Sequence, residues 1–138
     1  MDVFHDAARN GMLDSLKKII DANAELDVTD SNGKTALFLA VERGHTACVE
    51  LLVAAKAGIA VSDNDRKTAL MWAAFHGHTT CAQILVDSGA KVDIKDNNRR
   101  TPLIFAAQGG HTACVQLLID AKAYMKAKDD QGNNALLW

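Results

Sequence analysis

The stretch Thr101-Pro102-Leu103-Ile104-Phe105-Ala106-Ala107, followed by Gly110-His111, decides how this 138-residue chain folds. Related stretches recur every 33 residues, so that the same residue types return in successive copies. A fixed period of roughly 20–50 residues indicates stacked supersecondary units rather than one closed globule. The recurring residues are Thr35, Thr68 and Thr101; Gly11, Gly44, Gly77 and Gly110; His45, His78 and His111; Cys48, Cys81 and Cys114; and Asp30, Asp63, Asp96 and Asp129.

One unit, residues 63–95, shows what each period encodes. Residues 63–67 are polar turn formers, and Thr68 then precedes an apolar run. Threonine in that place is a helix N-cap signal, because its hydroxyl accepts a hydrogen bond from a free backbone N–H. Gly77 ends this first helix, where a positive φ angle costs little only for glycine, and a second helix follows. Applied to every unit, the pattern predicts helices over residues 3–10, 13–21, 36–43, 46–55, 69–76, 79–87, 102–109 and 112–121.

The residues from Thr101 to Ala106 resemble the Thr-Pro-Leu-His-x-Ala signature of ankyrin repeats, whose period is also about 33 residues. Gly110-His111 and Leu117-Leu118 fall where ankyrin repeats carry Gly-His and Leu-Leu. The resemblance implies an all-α solenoid of helix-turn-helix units with projecting β-turns or hairpins. It covers residues 1–138 as a single domain, with units at about 1–29, 30–62, 63–95 and 96–128 and a partial unit at 129–138.

Three groups of positions depart from the family pattern. The fourth signature residue is His5 in the first unit but Phe38, Met71, Ile104 and Leu137 later, so we expect apolar packing in place of the family's Thr–His contact. Arg66 and Arg99 replace the turn glycines Gly33 and Gly132. Because a non-glycine residue at positive φ is uncommon, we expect these two turns to be reshaped. Lys56 and Lys122 stand where the third unit has Gly89, with an expected strain of about 1 kcal/mol each.

Composition and charge exclude several classes of protein. Nearly half of the residues (49%) are hydrophobic, which excludes a disordered segment. The net charge of -2 lacks the basic excess of a nucleic-acid module. No apolar run approaches the roughly 20 residues of a membrane span, and the N-terminus lacks the features of a signal peptide. Three cysteines at equivalent positions do not indicate a disulfide framework, so we expect an intracellular, cytoplasmic protein.

The sequence carries no arrangement typical of a metal site or an enzyme. A structural zinc ion needs four ligands. The pairs His45–Cys48, His78–Cys81 and His111–Cys114 supply only two each, and neighbouring units should be offset by roughly 8–10 Å. His76-Gly77-His78 with Cys81 is the densest group of potential ligands, but His78 has equivalents in other units. No phosphate-binding loop or nucleophile–histidine arrangement is present. We expect buried, reduced, metal-free cysteines, no cofactor and no enzymatic activity.

Function should lie in the positions that vary between units. In ankyrin repeats the turn tips and first helices line the concave side, so the resemblance places the variable residues there in a protein-binding groove. Phe75 is the expected anchor, because its equivalents are polar and a solvent-facing aromatic residue suits an interface. Leu39, Trp72, Phe105 and Trp138 share one position and are interpreted as apolar filling between first helices. The predicted partner-binding residues are Arg9, Asn10, Lys34, Glu42, Arg43, Asn64, Asp65, Lys67, Phe75, His76, Arg100 and Gln108.

The expected partner is a protein or peptide with some acidic character, since the groove residues are mildly basic overall. An alternative is a regulatory or targeting segment of a larger enzyme or channel, because the chain stops at Trp138 partway through a unit. A passive spacer is the third possibility. Leu136, Leu137 and Trp138 form an apolar end, through which we expect self-association.

Overall fold

Eight α-helices form four consecutive pairs in the computed structural model, which describes residues 3–137. Each predicted helix is found within one residue of its expected bounds, and the all-α solenoid is confirmed. A short 3-10 helix, Ala135–Leu137, follows the last pair. The helices are α1 Val3–Arg9, α2 Leu13–Asp21, α3 Ala36–Glu42, α4 Thr46–Ala54, α5 Ala69–His76, α6 Thr79–Asp87, α7 Pro102–Gln108 and α8 Thr112–Asp120.

Threonine N-caps begin the first helix of the second, third and fourth units. The Thr35 hydroxyl accepts a hydrogen bond from the Phe38 N–H at 3.2 Å. Thr68 and Thr101 accept in the same way at 3.3 Å each. All three threonines are buried, so each cap satisfies a backbone donor that water could not reach.

The helices stack in two rows with the hydrophobic core between them. The first helices α1, α3, α5 and α7 contact one another in order, as do the second helices α2, α4, α6 and α8. The expected apolar packing at the fourth signature position is confirmed in three units, where Phe38, Met71 and Ile104 are each about 1% exposed. His5 is also buried, and its Nε2 lies 2.9 Å from the Val28 carbonyl oxygen. The side chain of Leu137 lies outside the described part of the chain.

Each turn tip is held by the aspartate that recurs at its start. In the third unit, Asp63 Oδ1 accepts hydrogen bonds from the Asp65 and Lys67 N–H groups at 3.0 and 2.8 Å. Asp30, Asp96 and Asp129 accept from their own i+2 and i+4 N–H groups at 2.8–3.0 Å. One side chain therefore fixes five residues of each tip.

The expectation that Arg66 and Arg99 reshape their turns is wrong. Arg66 has φ 63° and Arg99 has φ 62°, close to the 78° of Gly33. The N–H of each arginine bonds to the carbonyl of the aspartate three residues earlier at 3.0 Å, as that of Gly33 does. The aspartate hydrogen bonds outweigh the strain of about 1 kcal/mol that a left-handed arginine costs. Lys56 and Lys122 likewise keep the left-handed conformation, at φ 70° and 69°.

Backbone hydrogen bonds join each turn tip to the next. The Asn64 N–H bonds to the Asn32 carbonyl at 3.0 Å. Asn97 bonds to the Asp65 carbonyl at 3.3 Å, and Asp130 to the Asn98 carbonyl at 2.9 Å. The tips therefore form one continuous rim beside the first helices.

The recurring histidines also join neighbouring units, and we call this series of contacts the histidine relay. His45 Nε2 lies 3.0 Å from the Arg9 carbonyl oxygen, and His78 Nε2 lies 3.2 Å from that of Glu42. The imidazoles pack against glycines that end the preceding first helices, so that a Cβ on Gly77 would approach His111 Nδ1 to 2.5 Å. These contacts give the recurring histidines a structural role in joining units.

The cysteines lie in the core, and two of them, Cys81 and Cys114, lie beside a threonine of the preceding unit. Cys48, Cys81 and Cys114 are buried, as predicted. The Thr46 Oγ1 and Cys81 Sγ atoms are 3.7 Å apart, and the Thr79 Oγ1 and Cys114 Sγ atoms are 3.3 Å apart. Burial raises the pKa of the Cys48 and Cys81 thiols, which disfavours the reactive thiolate.

We expect all three thiols to react slowly in the native protein and completely in denaturant. The burial of all three thiols keeps the reagent out, and the raised pKa values of Cys48 and Cys81 also disfavour their thiolates. Thiol titration before and after unfolding, with zinc analysis of the same sample, checks this. Fewer than three thiols in denaturant, or a stoichiometric metal ion, would contradict it.

Candidate interaction site: the aromatic cluster on the first helices

An aromatic cluster lies on the first helices at the middle of the array. Phe75 on α5 is 38% exposed. Its ring packs edge-to-face against Trp72 at 6.4 Å between centroids and against Phe105 on α7 at 5.9 Å. Edge-to-face packing of this kind contributes about 0.5–1.5 kcal/mol per pair, so the exposed ring of Phe75 is held in a defined position.

Trp72 extends the cluster further than the sequence indicated. It packs against the core but is only half-buried, and it stacks on His76 with centroids 5.3 Å apart and an interplanar angle of 13°. Its Nε1 is buried and has no hydrogen-bond partner in the described part of the chain. The interpretation of Trp72 as filling is therefore incomplete. Trp72, Phe75 and His76 are spaced at i, i+3 and i+4, which places them on one helix face. This spacing is visible in the sequence and would have identified the whole surface.

Cationic side chains flank the aromatic cluster on both sides. Lys34 Nζ lies 5.3 Å from the Trp72 ring centroid and 5.6 Å from that of Phe38. The guanidinium carbon of Arg100 lies 4.5 Å from the Phe105 ring centroid. Cation–π contacts at exposed sites contribute about 0.5–1 kcal/mol each. They also orient two of the predicted partner-binding residues over the groove.

The basic side chains of the groove are largely paired within the chain. Lys34 Nζ lies 3.1 Å from Glu42, and Lys67 Nζ lies 3.8 Å from Asp65. Arg9 lies 2.7 Å from Asp6, and Arg100 lies 3.0 Å from Asp96. Arg43 is exposed and forms no ion pair within residues 3–137. Because Asp6 and Asp96 add negative charge, the predicted partner-binding surface is closer to neutral than the charges of the predicted residues alone indicated.

The structure brings together only part of the predicted set. Lys34, Glu42, Phe75, His76 and Arg100 contact the aromatic cluster or one another. Gln108 and Arg100 line an open hollow of about 160 Å³ with Asn98 and Asp130. The other predicted residues lie apart from the cluster, where they either make local contacts or are exposed. They are Arg9, Asn10, Arg43, Asn64, Asp65 and Lys67.

His76 is a titratable side chain of the aromatic cluster. Burial lowers the pKa of His76, and the neighbouring imidazole of His78 lowers it further, which favours the neutral ring stacked on Trp72. In residues 3–137 no three histidine, cysteine or carboxylate side chains gather closely enough to hold a metal ion. None of the described helices has the length and apolar character needed to cross a membrane. The arrangement offers an aromatic surface with polar sides.

Similar stretches occur in several known proteins. Acyl-CoA-binding domain-containing protein 4 of Oryza sativa subsp. japonica is 44% identical over 48 residues, which are 35% of this chain and 14% of that protein. Cyclin-dependent kinase inhibitor 2A of Monodelphis domestica is 50% identical over 48 residues, 35% and 28% of the two chains. Cyclin-dependent kinase 4 inhibitor B of Homo sapiens is 54% identical over 41 residues, 30% of each. The matched stretches therefore span less than a third of each relative.

The family match is much more extensive than these pairwise matches. The family model described as "Ankyrin repeats (3 copies)" matches residues 4–96 and 89–138. Together with the stacked helix pairs, the threonine caps and the recurring turn aspartates, this match shows that the chain belongs to the ankyrin-repeat family.

Proposed function

We propose that this chain is a non-catalytic interaction module of residues 1–138 that holds a protein or peptide partner in its concave groove. The observation that carries the proposal is the exposed Phe75 ring, fixed between Trp72 and Phe105. Rigid aromatic side chains with a partly exposed face are the residues that most often anchor protein interfaces. The predicted partner-binding residues, from Arg9 to Gln108, and a cytoplasmic location belong to this proposal.

The partner proposed for the groove is a folded protein or a segment of one. Two of the relatives are named as inhibitors of cyclin-dependent kinases, which supports a protein as the kind of partner. Most groove cations are already paired, so the groove should select an apolar side chain first. Acidic character in the partner would be recognised chiefly by the exposed Arg43.

A second candidate function is a regulatory or targeting segment of a larger enzyme or channel. The observation that favours it is the match to a protein named for an acyl-CoA-binding domain, of which the matched stretch is only 14%. In such a protein the ankyrin array would present the same groove. Identification of the full coding sequence decides between the two candidates.

We expect the variant with Phe75→Ala, Arg43→Glu and Lys67→Glu to lose partner capture while its helicity stays nearly unchanged. Its melting temperature should fall by several degrees at most, because the two edge-to-face contacts of Phe75 contribute about 0.5–1.5 kcal/mol each. Loss of the Phe75 contact should cost about 2 kcal/mol, or roughly 30-fold in affinity. The two charge reversals should slow the encounter with an acidic partner. Affinity capture with wild type and variant, followed by quantitative mass spectrometry and titration of the recovered protein, measures the effect.

Cys81→Ser serves as the contrasting control. It places a hydroxyl in the packed core and should lower stability, but it leaves the groove surface intact. If the triple variant bound its partner as tightly as the wild type does, the concave-face proposal would be wrong. The opposite helix face, around Glu50 and Gln83, would then become the candidate surface.

A further inference from the structure

In the segments that lead from each second helix to the next turn tip, more buried and more exposed side chains roughly alternate, although Val28 and Met125 are exposed at inward positions. In the third unit Val92 and Ile94 pack against the core, whereas Lys91 is exposed. In the fourth unit Ala123 and Ala127 are buried. We call the alternating outward positions the outer edge: residues 25, 27 and 29; 58, 60 and 62; 91, 93 and 95; and 124, 126 and 128.

Hydrogen bonds between neighbouring units fix this edge. Asp27 Oδ1 accepts from the Gly58 N–H at 2.8 Å. Two units later, Asp93 Oδ1 accepts from the Tyr124 N–H at 2.9 Å. The same contact therefore joins the first unit to the second and the third unit to the fourth along the outer edge.

Formal charge changes sign along the outer edge. The formal charge of the outer-edge side chains is -2 in the first unit, zero in the second, +1 in the third and +2 in the fourth. Since these positions are equivalent in the fold, packing does not require the gradient. None of the four lysines forms an ion pair within residues 3–137, in contrast to the groove lysines. The residues, in order of unit, are Glu25, Asp27 and Thr29; Gly58, Ala60 and Ser62; Lys91, Asp93 and Lys95; and Tyr124, Lys126 and Lys128.

Exposed apolar side chains lie on the outer edge or directly beside it at both of its ends. Val28, beside Asp27, is 44% exposed. Tyr124 and Met125, beside Lys126, are 60% and 39% exposed. Each end of the edge thus combines an apolar contact with charge of one sign, which is the composition of a small interface.

The two ends cannot neutralise each other within one chain. Units offset by roughly 8–10 Å place the first and fourth units about 25–30 Å apart. Screening at physiological ionic strength acts over about 8 Å. A second copy lying antiparallel would bring the acidic end of each chain onto the basic end of the other, and Val28 onto Tyr124 and Met125.

We propose that two copies of this chain associate through their outer edges in a weak antiparallel dimer. Twofold symmetry makes the pairing self-complementary, because each acidic–basic contact occurs twice. The dimer leaves the concave groove on each copy unused. It is independent of the interaction proposed for that groove.

The test is sedimentation velocity of the whole chain over a range of concentrations. At low salt the mass should rise from 14.8 kDa towards twice that value with concentration. Lys126→Glu with Lys128→Glu should weaken association by at least about tenfold, since like charges then face each other. Neither lysine side chain makes a hydrogen bond in the described structure, so this variant should fold normally. Glu25→Lys with Thr29→Lys in the other chain of a mixture reverses the charge of the first unit, keeps the Asp27 hydrogen bond to Gly58 and should restore pairing.

Matched controls separate this proposal from other modes of association. Lys17→Glu with Lys18→Glu makes the same change in net charge on exposed positions of α2 and should leave association unchanged. Raising salt from about 0.05 to about 0.5 M should dissociate an electrostatic dimer. A chain that stays monomeric at low salt would overturn the proposal. Association that persists in the variant with Lys126→Glu and Lys128→Glu would also overturn it. Association that is lost on Leu136→Ser would overturn it as well and would assign the contact to the apolar C-terminal end.

Discussion

Gly77→Ala is expected to lower the free energy of unfolding by about 3 kcal/mol and the melting temperature by about 10 °C. Gly77 ends α5 with φ 72°, a conformation that costs alanine about 1 kcal/mol. The new Cβ would also approach His111 Nδ1 to 2.5 Å and force the imidazole from its place. Thermal unfolding followed by circular dichroism measures both quantities.

Gly110→Ala is the matched control for this variant. Gly110 has the same φ of 72°, but a Cβ there would meet nothing within 4 Å. Its replacement should therefore cost only the backbone strain of about 1 kcal/mol. Equal losses in the two variants would show that contact with the histidine contributes nothing to stability.

Asp96→Ala is expected to have an effect of similar size, about 3 kcal/mol. Asp96 is 4% exposed, and its Oδ1 accepts from the Asn98 and Arg100 N–H groups. Its Oδ2 accepts from Arg100 Nε at 3.1 Å and pairs with Nη2 at 3.0 Å. Alanine leaves two turn donors unsatisfied and frees the guanidinium that lies over Phe105. Urea denaturation monitored by circular dichroism gives the free energy.

Asp96→Asn separates the turn from the ion pair. Asparagine keeps an oxygen for the two backbone donors and loses only the charge, so its cost should be about 1 kcal/mol. If the asparagine and alanine variants lose the same free energy, the ion pair with Arg100 rather than the turn is what stabilises this tip.

The helices and their caps were predictable because their signals are local. Thr68 and Gly77 define the ends of α5 through contacts within four residues. The turns at Arg66 and Arg99 were not predictable from residue preferences alone. Their conformation depends on the two hydrogen bonds to one aspartate, which outweigh the preference against a left-handed arginine.

The exposure of Phe75 was predictable from the sequence, but the contacts around it were not. Phe75 was identified because its equivalents are polar, and it is exposed on the first-helix row. Trp72 was interpreted from its equivalents Leu39 and Phe105, which are buried, yet its larger ring reaches His76. The pairing of Lys34 with Glu42 depends on side-chain conformations that repeat spacing does not encode.

The histidine relay gives the array a direction. His45 reaches the Arg9 carbonyl and His78 the Glu42 carbonyl, in each case a carbonyl of the preceding unit. Removing units from the N-terminal side would strip the next imidazole of its acceptor and its glycine support. Removing them from the C-terminal side would return a carbonyl to water, which can satisfy it. Shortened arrays should therefore tolerate trimming from the C-terminal side better, and truncation series made from the two sides should differ in stability at equal length.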